Sequence, residues 1–267
     1  DHKRAHDLFS GHGALSTSGE FIATTELTSD QRGVMTLRSA KDLSPVVVAP
    51  KECGNSHQVV ALPGSNLMAV GNLRDLAGKE SGAITFFDTE SRKVVNRVEF
   101  PYPVLHLMPL SSTEAIGLTK ISTFKKERLR ALTASHDNDR NRAVFADSKS
   151  ETPSPLVYAA ADGRKREISG LAESSMLLDN FGLARLPGQR FLSSHHGSSK
   201  VILWNDFKGD HVIDIPGVKS LLASRDGTQF MAVSSSKLQI YSLQTYELVH
   251  SFEDWPDVAT MAAYNGT

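Results

Sequence analysis

The sequence has almost no cysteine. Cys53 is the single thiol in 267 residues, so no intrachain disulfide can form and a disulfide-stapled scaffold is excluded. Long apolar runs are missing as well: none approaches the ~18 residues that a membrane-spanning helix requires. Neither sign of charge is in excess. The formal net charge is −1, which gives no electrostatic reason to expect nucleic acid or an anionic membrane as partner. The chain has no HExxH, no CxxC and no EF-hand loop, so none of the metal sites announced by local spacing is written in it. Gly11-His12-Gly13 is too short for a phosphate loop and no helical pattern follows it. Ser16, Ser18 and Ser193 lack the strand-turn-helix setting of a nucleophile elbow. A signal peptide is also missing, yet the chain begins at Asp1 and not at Met, which leads us to expect an upstream piece.

What is present is a repeat. Residues 55–100 run as four short segments rich in Val, Ile, Phe and Leu, and Gly, Asn, Asp, Pro or Ser bounds each of them. That punctuation marks strands joined by turns. Four adjacent strands with short links make an antiparallel meander, the size of one β-propeller blade. First strands of equivalent units begin near Gly11, Asn55, Val104, Asn180, Lys219 and Asp257. The intervals are roughly the 40–50 residues of a propeller blade, except where a polar insert intervenes. The turns repeat too, Thr17-Ser18-Gly19 in the first unit standing where Pro63-Gly64-Ser65 stands in the second.

The expected fold is therefore all-β: one WD40-like β-propeller domain over residues 1–267, built from four-stranded antiparallel blades. A β-sandwich is the weaker alternative, because sandwiches do not repeat their turn signatures at this interval. Residues 1–10 read as a tail or a connection from a preceding element. The polar segment 121–155 reads as an insert within the third blade, with a short helix at KKERLRAL and loop or disordered material after it. Residues 257–265 read as a lone first strand. Five complete units and one orphan strand leave a ring open, so we expect an N-terminal part beyond Asp1 to complete it, giving seven blades, or six.

In such meanders the start of strand one and the end of strand two share an edge, so residues at those places converge on one mouth. The starts supply His12, His57 and His106. The ends supply Glu26, Asn72, Lys120 and, in the fourth unit, His195 with His196. Three imidazoles at equivalent places, joined by a carboxylate, suit a transition metal through nitrogen; hydrogen bonding to a carboxylate or phosphate ligand uses the same groups. Structural histidines tied to neighbouring backbone are the competing reading. Adjacent His195 and His196 would face opposite sides of a strand, so at most one of them reaches the mouth. Cys53, at a blade link, reads as inert, and Trp204 and Trp255 as blade packing.

Gly-His-Gly at Gly11–Gly13, the GNSHQVVALPGS segment around His57, and the VLHLMPL strand around His106 resemble a family of exported bacterial propellers whose own function is unassigned. The pattern departs at Asn55-Ser56-His57-Gln58 and in the longer third-unit insert. The resemblance implies a periplasmic protein with a further blade upstream. Genes of that family commonly lie beside imelysin-like iron-uptake proteins and di-haem oxidoreductases, so the resemblance also implies a partner protein in an iron-uptake or redox system. The expected function is a non-enzymatic propeller that binds a ligand, a transition metal or a partner at a histidine-lined mouth. Two rivals stand beside it: a propeller enzyme, either a metal-dependent lactonase-like hydrolase or an oxidoreductase, and a pure protein assembly scaffold. Fold class does not separate them.

Overall fold

The structure is a computed structural model that describes residues 8–28, 33–49, 51–74, 76, 81–119, 156–168, 180–195, 199–234 and 236–253. These residues form five four-stranded antiparallel sheets, each a meander in chain order. The first is β1 (Leu8–Leu15), β2 (Phe21–Leu27), β3 (Gly33–Ser39) and β4 (Pro45–Val48). The second is β5 (Ser56–Ala61), β6 (Leu67–Asn72), β7 (Gly82–Asp88) and β8 (Lys93–Phe100). The third is β9 (Val104–Pro109), β10 (Glu114–Thr119), β11 (Leu156–Ala160) and β12 (Lys165–Ile168). The fourth is β13 (Asn180–Arg185), β14 (Arg190–His195), β15 (Lys200–Asn205) and β16 (Lys208–Asp214), and the fifth is β17 (Ser220–Ala223), β18 (Gln229–Val233), β19 (Leu238–Ser242) and β20 (Leu248–Phe252). The strands fall into two compact units, the first three sheets in one and the last two in the other.

The meander assignment agrees with the sequence expectation, but the N-terminal boundary differs. Leu8–Ser10, expected to be part of a tail or a connection, belong to β1, because the ladder continues past an irregularity to pair Phe9 with Glu26 and Leu8 with Leu27. The expected helix at KKERLRAL, the rest of the insert, His196, Lys120 and the strand at 257–265 lie outside the described residues.

Burial explains why the strands read as they do. In β7 Ile84 and Phe86 pack into the core shared with the third sheet, whereas Phe87 packs into the core shared with the first. Successive side chains point to opposite faces, so a strand covered on both sides reads as a continuous apolar run and not as an alternation. Outer strands show the opposite character: β20 is exposed along its whole length. Within the first unit the first strands of consecutive sheets lie side by side, β1 against β5 and β5 against β9. Within the second unit β13 lies against β17 in the same way. The turn after the first strand recurs in four of the five sheets, with Gly19 and Gly64 at φ +74° and +72°, matched by Gly188 and Gly227 in the second unit. A side chain at these left-handed positions would be strained, which is what fixes glycine there.

Candidate metal centre

His12, His57 and His106 sit in the first strands of the three sheets of the first unit. Each lies where the ladder to the second strand breaks register. In the first sheet pairing jumps from Phe9 to Gly13. In the second it jumps from Ser56 to Gln58. In the third it jumps from Val104 to Leu107. Each histidine is thus the residue immediately before pairing resumes. A β-bulge adds a residue, bends the strand and re-aims a side chain that the regular two-residue alternation would send elsewhere. Three sheets repeat the device with the same residue type. The fourth sheet also breaks register, between Asn180 and Leu183, but Gly182 precedes the resumption there.

The consequence is a cluster of imidazoles. Ring centroids lie 4.9 Å apart for His12 and His57, 5.7 Å for His12 and His106, and 5.6 Å for His57 and His106. The rings meet edge to face, and one nitrogen from each lies within 4.8 Å of the other two. Tetrahedral Zn–N bonds of ~2.0–2.1 Å require nitrogens roughly 3.3–3.4 Å apart, so side-chain rotations that close at most ~1.5 Å would complete a three-nitrogen face. Burial pushes the His12 pKa below its ordinary value. His106 is driven down to about 4, first by burial and then by the proximity of His12. Both rings are therefore neutral near pH 7, the form in which an imidazole nitrogen can coordinate a metal.

The backbones that carry the rings are fastened to one another. The hydroxyl of Thr25, a fully buried residue of β2, donates toward the carbonyl oxygens of His12 at 3.2 Å and of His57 at 3.0 Å. The side-chain oxygen of Gln58 accepts the backbone N–H of Leu107 at 2.5 Å. Gln58 stands out in the sequence only as part of a departure from the resembled motif, and Thr25 not at all. A threonine inside a strand has good β propensity and carries no mark of a latch.

Other residues nominated from the sequence stand elsewhere. Glu26 is not drawn into the histidine cluster. Its carboxylate, in a residue only 2% exposed, accepts Arg38 Nη2–H at 2.7 Å and Nε–H at 3.1 Å, the Thr24 hydroxyl at 2.6 Å and the Thr36 hydroxyl at 3.1 Å. A buried carboxylate needs a cation and hydrogen bonds, and the neighbouring strand supplies both. Asn72 is likewise occupied: its amide donates to the carbonyl of Gly54 at 2.9 Å and accepts the Thr85 hydroxyl at 2.8 Å. His195 belongs to the second unit. Its Nε2 lies 2.7 Å from Ser193 Oγ, which accepts the indole N–H of Trp204 at 2.8 Å. All three residues are fully buried, and burial holds the His195 pKa at about 3. This chain of polar groups ties the second strand of the fourth sheet to the third. Cys53 is buried too, with its thiol pushed up to about 12 chiefly by burial, so its sulfur is neither accessible nor ionised.

No known sequence family and no curated protein matches the chain. Its fold, by contrast, is widely shared: 914 solved chains resemble it, which is why fold alone leaves the function open. One of them comprises the WD40 repeats of RRP9, which superpose with a TM-score of 0.64 over 93% of this chain and 68% of that one, at 9% sequence identity. Likeness at so low an identity carries the fold and nothing further. The chain is an all-β protein with the fold of a WD40-type β-propeller. Among the described residues no helix is long and apolar enough to cross a membrane.

Proposed function

We propose that this propeller is a metal-binding protein that holds a divalent first-row transition ion through His12, His57 and His106. The observation that carries the reading is the repeated bulge: three sheets break their ladders at one place, and each break aims an imidazole at the same point. Three neutral nitrogen donors favour zinc, copper, iron or nickel over calcium and magnesium, which take oxygen ligands. A set of three protein ligands leaves a coordination position for an exogenous group. A metal held this way offers a docking point for a small ligand or for a donor side chain of a partner protein, the general role that propellers fill. The motif resemblance to exported propellers supports a periplasmic setting and a partner in an iron-uptake or redox system.

Calorimetric titration of the full chain with Zn²⁺ at pH 7.5 tests the reading, with Mg²⁺ as the control. One saturable zinc site is expected, weakened by at least ~10-fold in His12→Ala and in His106→Ala, and no magnesium binding. A wild-type chain that takes up no zinc, or variants that bind as the wild type does, would contradict it.

A further inference from the structure

The three histidines come from three different sheets, so their convergence depends on how the sheets are held against one another at that one place. Packing of apolar side chains is non-directional and does not by itself fix ring nitrogens to the tolerance that a metal demands. Directional contacts are needed, and they occur at the histidines themselves. The Thr25 hydroxyl lies between the carbonyl of His12 on β1 and that of His57 on β5. Gln58, the next residue along β5, reaches the N–H of Leu107, the next residue after His106 on β9. One latch therefore joins the first ligand strand to the second, and the other joins the second to the third. Both act on a peptide group of, or directly bonded to, a ligand residue.

The position that matches Thr25 in the second sheet is Gly71, each directly preceding the strand-two residue, Glu26 or Asn72, that accepts the hydroxyl of a third-strand threonine, Thr36 or Thr85. A Cβ on Gly71 would stand 3.2 Å from the carbonyl oxygen of Val104 and 3.4 Å from that of Leu105. The backbone of β9 approaches closely there, and a side chain at Gly71 would need it to give by a few tenths of an ångström. The sheet boundary that is crowded where the hydroxyl latch would sit is the one that carries the amide latch. Where His12, His57 and His106 bind a metal, we infer that Thr25 and Gln58 are positioning residues of that site, setting the spacing of the three imidazoles through the backbone without touching the ion.

Partners that orient metal ligands commonly govern metal affinity by 10–100-fold. The inference rests on the metal-binding reading, and Co²⁺ added to the full chain separates the two. Its visible absorption reports coordination geometry, and titration gives the affinity. The expected result is a Co²⁺ band in the wild type, at least ~10-fold weaker binding with an altered band in Thr25→Val and in Gln58→Leu, and near wild-type behaviour in Thr25→Ser, which keeps the hydroxyl. Gln58→Asn, polar but one methylene short of Leu107, is expected to behave like Gln58→Leu, and it carries the test if Thr25→Val does not fold. Folded Thr25→Val or Gln58→Asn protein with unchanged affinity and spectrum would overturn the inference while leaving metal binding intact. A wild-type chain with no Co²⁺ band would overturn both.

Discussion

Protons compete with a metal for imidazole nitrogen, so the surroundings of the histidines fix how the site responds to acid. Three histidines at their ordinary pKa of ~6.5 would weaken metal binding by roughly 1,000-fold between pH 7.5 and 5.5, about tenfold from each ring. His106 does not titrate in that window, because burial and the nearby His12 hold its pKa at about 4. Its tenfold share disappears, and the lowered pKa of His12 trims a second share. The sign follows from the direction of the shift: a depressed pKa means fewer bound protons to displace, hence a flatter profile. Affinity is therefore expected to fall well short of ~1,000-fold over those two pH units. Competition against a chromophoric zinc indicator at half-unit pH steps measures this, with circular dichroism confirming that the chain stays folded. A fall near 1,000-fold would refute the reasoning, since it would mean that His106 meets solvent as a free imidazole does.

Four further outcomes are expected. Arg38→Met strands the buried carboxylate of Glu26 and should cost about 3–5 kcal/mol in urea unfolding; a loss under ~1 kcal/mol would place the pair with exposed ion pairs instead. Ser193→Ala removes the acceptor of the Trp204 indole and the partner of His195; stability should drop by about 1–3 kcal/mol while metal stoichiometry is unchanged, and a loss of metal would tie His195 to the site after all. His195 is neutral when folded and takes a proton when unfolded, so its stabilisation is complete above pH ~6.5 and declines by ~1.4 kcal/mol per pH unit below it, toward its folded pKa of about 3. A urea midpoint that does not fall between pH 6.5 and 4.5 would contradict that burial. Finally, Cys53 should resist Ellman's reagent in the native chain and react once urea is added, and prompt native reaction would show the thiol exposed.

The strands were legible because their chemistry is local. Doubly covered β7 and β15 are written as AITFF and KVILW, and in four of the five sheets glycine marks the turn after the first strand. The turns between third and fourth strands carry a weaker mark in the first, second and fifth sheets, since Leu43, Arg92 and Tyr246 occupy left-handed conformations at φ +60°, +57° and +61° where glycine or asparagine is the ordinary signal; in the third sheet Gly163 takes that place at φ +95°. The convergence of His12, His57 and His106 followed from their equivalent places in the repeat, but its cause did not. A bulge is a relation between two strands, and nothing in Ser56-His57-Gln58 alone states that its ladder slips. Glu26 reads toward the mouth for the same kind of reason: position in the repeat places it near the strand end, whereas Arg38 on the next strand decides where the carboxylate is satisfied. His195 shared that repeat position too, yet Ser193 on its own strand and Trp204 on the next take its ring into the core.

Metal content after reconstitution tests the central claim most directly. The full chain, incubated with Zn²⁺, Cu²⁺ or Fe²⁺ and freed of excess ion, should retain about one ion per chain, and His57→Ala treated identically should retain less than ~0.1. Equal retention by the two proteins, or none by the wild type under any of the three metals, would contradict the metal centre.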